Sequence, residues 1–260
     1  MRSSPGGISE KKLKPALRTF PADMHIRSLT FLSESFPPGA GYPFSLGVFR
    51  KTGVLEFHRP VTFFIGENGT GKTTLLQAIA RGAGIHIWQE CEGRHDARNL
   101  LEDRLHQYLR IEWEDGKVPG SFFASEHFRH FAEALDQWGR ADPGCLEYFG
   151  SSPLVTKSHG QSHMAFFANR FARKGLYLLD EPENALSPVR QIELLQLLRK
   201  FSLRCDVQFI IASHSPILLA LLDSEIWSFD TAPIRSIAYE ETDYYRVYRQ
   251  FLENRAKYLG

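Results

Sequence analysis

The chain has 260 residues, 43% of them hydrophobic, which suffices for one sizeable core with a subdomain. Its 31 basic and 30 acidic side chains leave a net charge of +1, so no global charge drives it toward nucleic acid or a membrane, although a local basic patch is compatible with that balance. Cys91, Cys145 and Cys205 are widely spaced and contain no C-x-x-C pair, which speaks against a zinc site or a disulfide framework and for reduced thiols in the cytoplasm.

Residues 1–24 read as a disordered tail rich in Ser, Gly and Lys, without the apolar stretch of a secretory signal. The span 25–260 reads as one α/β domain. HIRSLTFL from His25 is a strand, followed by the turn-rich SFPPGAGYPF. VLEFH and VTFFI are short strands, the second a continuous apolar run suited to burial on both faces. LLQAIA is helical in composition, and GIHIW reads as a further strand. RNLLEDRLHQYL and EHFRHFAEALDQW carry apolar residues at helical spacing, with YLRIEW and SFFA as strands between them. GRADPGCLEYFGSSP is a loop by composition. GLYLLDE and VQFIIASH are buried strands flanking PVRQIELLQLLRKF, a helix opened by Pro188. IWSFD and IRSIAY suit a hairpin. The terminal DYYRVYRQFLENRAKYL is a helix with Tyr244, Val247, Tyr248, Phe251 and Leu252 on one face. No apolar run reaches the ~18–20 residues of a membrane helix. Strands alternating with helices predict a mixed sheet covered by helices.

Gly66, Glu67, Asn68, Gly69, Thr70, Gly71, Lys72 and Thr73 fit G-x-x-x-x-G-K-[ST] between a strand and a helix. Three glycines permit a tight loop whose N–H groups face phosphate oxygens, and the helix that follows adds its positive end. Lys72 is placed to reach the β- and γ-phosphates of ATP and Thr73 to offer a hydroxyl to Mg²⁺; Thr74 completes the candidate nucleotide-binding set. A second apolar strand ends in Asp180-Glu181. Alone, that is a weak signal which a solvated strand end would also produce. Paired with the phosphate loop, it makes Asp180 a candidate for the metal and Glu181 a candidate for orienting or deprotonating water. His214, after the strand Val207–Ala212, is a candidate partner of the γ-phosphate.

These elements, in this order, resemble the ABC-type ATPases. The resemblance makes Ser158, His159, Gly160 and Gln161, within Ser158-His159-Gly160-Gln161-Ser162, a degenerate signature motif. It lies 22 positions before Asp180, and His214 lies 34 positions after Asp180. In that class the signature contacts ATP held by the other protomer, which implies an ATP-dependent homodimer. SHGQS, GLYLLDEPENALSP, QFIIASHSPILLA, GSFFASEHF and the terminal YEETDYY-x₅-FL resemble more closely a compact bacterial group described as ABC/AAA-like ATPases. That resemblance runs from about His25 onward and implies a P-loop NTPase fold, a mixed sheet flanked by helices with a small helical subdomain. Two departures stand out. Ser187 occupies the place of the usual Asp in the loop after the carboxylates. The Q-loop residue is Glu126 or Gln89, and Glu126 lies nearer the usual distance from Lys72. Tyr42, Phe44 and Phe49 are adenine-stacking candidates, with core packing the competing role.

The expected activity is ATP hydrolysis driving a dimeric switch that acts on a protein or nucleic-acid partner. A transporter's nucleotide-binding subunit and the ATPase head of a DNA-repair or defence complex are alternatives. The 85 residues between Lys72 and Ser158 show no heptads and leave no room for a long coiled-coil arm. A small-molecule kinase would share the phosphate loop but leaves Asp180-Glu181, His214 and SHGQS unexplained.

Overall fold

The computed structural model describes residues 24–88, 101–141, 159–204 and 206–259. The tail expected before residue 24 lies almost wholly outside them, as do Gln89, Ser158 and the three cysteines.

The chain runs β1 (Ile26–Phe31), α1 (Gly47–Lys51), β2 (Val54–Glu56), β3 (Val61–Ile65), α2 (Lys72–Ala83), β4 (Leu109–Trp113), β5 (Gly120–Ala124), α3 (Phe128–Ala141), α4 (His159–Arg170), β6 (Gly175–Asp180), α5 (Pro188–Ser202), β7 (Val207–Ala212), α6 (Pro216–Leu219), β8 (Glu225–Ser228), β9 (Arg235–Ser236), α7 (Asp243–Glu253) and α8 (Ala256–Leu259). Among the described residues these strands form two sheets. The smaller is antiparallel, in the order β2-β1-β4. The larger runs β5-β6-β7-β3-β8-β9 and is parallel except for the β8–β9 hairpin at its edge.

The apolar runs in β3, β6 and β7 are continuous because both faces of the large sheet are covered. Side chains alternate between two cores. Phe64, Leu176, Leu178, Ile210 and Ala212 face α2 and the small sheet. Phe63, Tyr177, Leu179, Phe209 and Ile211 face the other way, onto α4, α5 and α6. The second core is rich in rings: Phe171 lies edge-on to Phe209 with centroids 4.8 Å apart, and Phe123 edge-on to Phe167 at the same distance. The helical subdomain is α3 and α4, inserted between β5 and β6 and seated on this face.

Three elements differ from their sequence expectation. GIHIW forms no strand. Gly84, in the left-handed region, ends α2, and Ile85 N–H closes back on Ala80 O at 2.8 Å. Ile85 is then used as a plug: a Cβ at Gly120 would stand 2.3 Å from its Cδ1. Glu102–Tyr108 is a 3₁₀ helix rather than an α-helix, and His106 Nδ1 bonds Asp103 O three residues back, at 2.7 Å. The C-terminal helix breaks at Asn254, whose side-chain oxygen accepts from Lys257 N and opens α8. Its apolar face is turned to solvent at Val247, Tyr248, Phe251 and Leu252. No described helix is long and apolar enough to cross a membrane.

One buried side chain ties the two sheets. Gln208 in β7 is fully buried, and its amide oxygen accepts from Ile26 N at 2.7 Å while its nitrogen donates to Ile26 O at 3.1 Å. Both polar groups of Ile26 are thereby satisfied in a place water does not reach. Gln208→Leu keeps the volume but orphans both. It is expected to destabilise the fold by about 2–6 kcal/mol, from about 1–3 for each of the two buried unsatisfied groups. A lower urea midpoint with unchanged denaturant slope measures the loss; an unchanged midpoint would remove Gln208 as the tie.

Candidate functional site

The Gly66–Thr73 segment leaves the carboxyl end of β3 and turns into α2. Gly66, Gly69 and Gly71 all have positive φ, at 143°, 83° and 101°. Gly71 is constrained by space as well: a Cβ there would lie 2.7 Å from the Phe49 ring and 2.9 Å from Leu46. This identifies what Phe44 and Phe49 do. Both are fully buried, Phe49 stacked on Phe31 beneath Gly71 and Phe44 edge-on to Tyr108, which leaves neither ring exposed to stack on adenine. Tyr42 is half-buried, and its hydroxyl hydrogen-bonds the Thr74 hydroxyl.

Lys72 is buried, and its ammonium donates to Gly66 O at 2.6 Å and Glu67 O at 2.9 Å. Burial pulls its pKa down, while Glu181, Asp180 and Asp230 oppose that shift. The loop is braced by Asp230 just beyond β8, whose Oδ1 accepts from Glu67 N at 2.8 Å.

Parallel pairing brings the end of β6 beside this loop. Thr73 Oγ1 donates to Asp180 Oδ1 at 3.0 Å. Burial pushes the Asp180 carboxyl up to about 7, with the Thr73 hydrogen bond pulling the other way. Glu181 follows with φ at 47°, a left-handed conformation uncommon for a residue with a side chain. Three bonds hold it there: Glu181 N donates to Ala212 O at 2.9 Å, Ser125 Oγ donates to Glu181 O at 2.6 Å, and Asn184 Nδ2 donates to Glu181 Oε2 at 2.6 Å. Its other carboxylate oxygen lies 3.3 Å from His214 Nε2. Four side chains from three separate segments thus converge at one sheet edge: Thr73, Asp180, Glu181 and His214.

Other predicted residues lie elsewhere. Glu126 is exposed in the 3₁₀ turn after β5, and among the described residues it makes no hydrogen bond to the phosphate loop. Its neighbour Ser125 is the residue that engages Glu181. Gly160 opens α4 against the loop after β6: a Cβ there would stand 3.3 Å from Ala185 O. Gln161 is exposed in the same first turn. Ser187 is the N-cap residue of α5, its carbonyl accepting from Gln191 N.

Sequence reasoning missed Glu183. Its buried carboxylate accepts from Ser213 Oγ at 2.9 Å and His214 N at 2.5 Å, so it staples the loop after β7 to the loop after β6. Burial raises its pKa, against the hydrogen bonds it accepts. The acidic run Asp180-Glu181-Pro182-Glu183 was the available signal, but only the fold turns Glu183 inward. Glu183→Ala leaves two buried donors unmet and is expected to cost about 2–4 kcal/mol, whereas Glu183→Gln keeps an acceptor, removes a buried charge and stays within about 1 kcal/mol of wild type. Thermal and urea unfolding of the pair test this, and equal losses would mean that the negative charge, which both variants remove, matters rather than a retained acceptor.

Two family models match the chain. One, "AAA domain, putative AbiEii toxin, Type IV TA system", covers residues 153–220, and one described as "AAA domain" covers residues 45–84. Together they take in the phosphate loop, both carboxylates and His214. The "Probable siderophore transport system ATP-binding protein YusV" of Bacillus subtilis is 28% identical over 59% of this chain and 61% of its own length, so the match spans about three fifths of that relative. The "Thiamine import ATP-binding protein ThiQ" of Cereibacter sphaeroides is 30% identical over 58% of this chain and 69% of its own length. Among solved structures, cbiO1 from Clostridium perfringens, part of the ABC transporter complex cbiONQ, aligns with a TM-score of 0.49 and 16% identity over 88% of this chain and 96% of that one. With the phosphate loop and strand-end carboxylates in place, and with identity to an ATP-binding relative over two thirds of that relative's length, the chain belongs to the ABC-type P-loop ATPases.

Proposed function

We propose that residues 25–260 act as one ATPase domain that binds Mg-ATP at Gly66–Thr74, hydrolyses it, and uses the cycle to bring a pair of copies of the chain together and release them. The observation that carries this reading is the Glu181 carboxylate, held in a strained backbone between Asn184 and His214 and one residue from the Thr73–Asp180 pair. Lys72 exchanges its two carbonyl partners for phosphate oxygens. The backbone N–H groups of the loop take the remaining phosphate charge. Glu181 orients the attacking water and accepts its proton, and His214 Nε2 donates toward the γ-phosphate.

The residues suit Mg²⁺: Thr73 and Asp180 offer hard oxygen donors, and among the described residues the desolvated Asp180 carboxyl has no compensating cation at bonding distance. When bound, the ion neutralises charge on the β- and γ-phosphates. Thr73 and Asp180 would hold it.

Gly160 packs on the loop after β6, where a Cβ would stand 3.3 Å from Ala185 O, and the signature it belongs to is proposed to act across a dimer. Ser158 and His159 are its proposed partners there, with Gln161 beside them. Glu126 is kept as the proposed Q-loop residue at the β5 end. The ATPase would work in the cytoplasm on a protein or nucleic-acid partner. The names of the relatives favour a second reading, a transporter's nucleotide-binding subunit. Ser187 in place of the usual Asp tells against a transporter-type coupling loop.

Lys72→Ala is expected to abolish measurable ATP binding and turnover, because it deletes the buried cation at the phosphates. Retention of both would remove the phosphate-loop assignment. Glu181→Gln should still bind ATP but hydrolyse it about 10²-fold more slowly or worse, and should accumulate as a dimer with Mg-ATP while the nucleotide-free protein stays mainly monomeric. Turnover assays and light scattering measure the two effects. Near-normal turnover would move the catalytic role away from Glu181, and a strictly monomeric ATP-bound variant would remove the dimeric switch.

A further inference from the structure

The C-terminal segment is built as a brace against the site. Tyr239 OH donates to Pro216 O at 2.9 Å, two residues beyond His214. The buried Thr242 then caps α7, its Oγ1 accepting from Tyr245 N at 3.1 Å. This sets Tyr244 in the first turn of α7, with its hydroxyl 2.6 Å from His214 Nδ1 and 3.2 Å from Gly66 O. One hydroxyl therefore touches both the phosphate loop and the histidine proposed to meet the γ-phosphate.

The hydroxyl has one hydrogen to give. It lies 3.2 Å from Gly66 O, which also accepts from the Lys72 ammonium at 2.6 Å, and only 2.6 Å from His214 Nδ1, where either atom can be the donor. On its other side the ring faces Glu181 Oε1 at 3.3 Å, and an ionised carboxylate can only accept. Nε2 makes no hydrogen bond among the described residues, and its 3.3 Å approach to a carboxylate oxygen favours the tautomer in which Nε2 carries the ring hydrogen and Nδ1 accepts from Tyr244. We propose that Tyr244 is a positioning residue: by donating its hydroxyl hydrogen to His214 Nδ1 it fixes the ring orientation and the tautomer that presents Nε2–H to Glu181 and to the phosphate. Burial holds the His214 pKa down, against the pull of Glu181, and pushes that of Tyr244 up to about 12. A neutral imidazole has two tautomers, and its partner selects between them. The phosphate-facing role of His214 belongs to the proposed function, and the inference rests on it.

Long-range ¹H–¹⁵N spectra of the full chain report the tautomer directly, with His214→Ala identifying the signals. Wild type is expected to show His214 as the Nε2–H tautomer, and Tyr244→Phe to show a tautomer mixture. In steady-state assays Tyr244→Phe should lower kcat about tenfold, a loss of the size seen when a histidine's orienting partner is removed, while KM for ATP stays within about twofold. Tyr244→Phe added to His214→Ala should cause no further loss, since Tyr244 acts through that ring. An Nδ1–H tautomer in wild type overturns the proposal whether or not the variant folds. Unchanged His214 signals in Tyr244→Phe, or an additive loss in the double variant, also overturn it. Full turnover in His214→Ala would instead sink the role of His214 in the proposed function, leaving the spectra to judge the Tyr244–His214 bond.

Discussion

Backbone hydrogen bonds between β3, β7 and β6 run in parallel, so all three strands deliver their carboxyl ends to one edge of the sheet. Asp180 stands in register with Ala212, and Phe64 with the same alanine from the other side. Residues far apart in the chain then emerge together: the phosphate loop from β3, Asp180 and Glu181 from β6, Ser213 and His214 from β7. Ser125 arrives from β5 by the same pairing, because Ala124 is in register with Asp180. An antiparallel partner would have sent alternate strand ends to opposite edges and scattered the site. Parallel strands need covering helices on both faces, which is why the site is backed by two apolar cores.

The edge so formed concentrates charge in a poorly hydrated place. Lys72 is held by carbonyl oxygens, with Asp180, Glu181 and Asp230 close enough to raise its pKa against the effect of burial. Asp180 and Glu183 are both shifted upward, chiefly by burial. Such groups are costly to bury unless bonded. Glu183 meets that condition within the chain at one oxygen, Oε1, which accepts from Ser213 and His214, while Oε2 has no hydrogen-bond partner among the described residues. Asp180 has the Thr73 hydroxyl, and a cation would complete its needs. A polar cluster incomplete in this way suits a charged ligand.

Around the edge, short loops are held by side chains rather than by the sheet. Asn184 and Ser125 fix Glu181, Glu183 and Gln191 fix the His214 loop through Ser213 and Ser215, and Asp230 fixes Glu67. All but the Asn184–Glu181 bond, which lies within one turn, join separate segments. Tyr244 extends this mesh to the C-terminal helix, whose outer apolar face is exposed. A site organised in this way couples catalysis to packing at its periphery.

Local chemistry made much of this legible without coordinates. The phosphate loop needs glycines at fixed offsets and a strand before a helix, and those are properties of consecutive residues. The same holds for continuous apolar strands, for Pro188 at a helix start and for the carboxylates at the end of β6. The sequence by itself therefore determined the nucleotide class, the sheet strands and Lys72, Thr73, Asp180, Glu181 and His214 as candidates. It could not determine which partners would meet. The inward turn of Glu183, the bond from Ser125 to Glu181, the burial of Phe49 beneath Gly71 and the reach of Tyr244 across 178 residues to Gly66 all depend on strand order. GIHIW shows the same limit in reverse, since its β-like composition yielded to a helix cap and a core position. Propensity acts over a few neighbouring residues, whereas burial and hydrogen-bond satisfaction are set by whatever the chain brings alongside, and only the tertiary structure decides that.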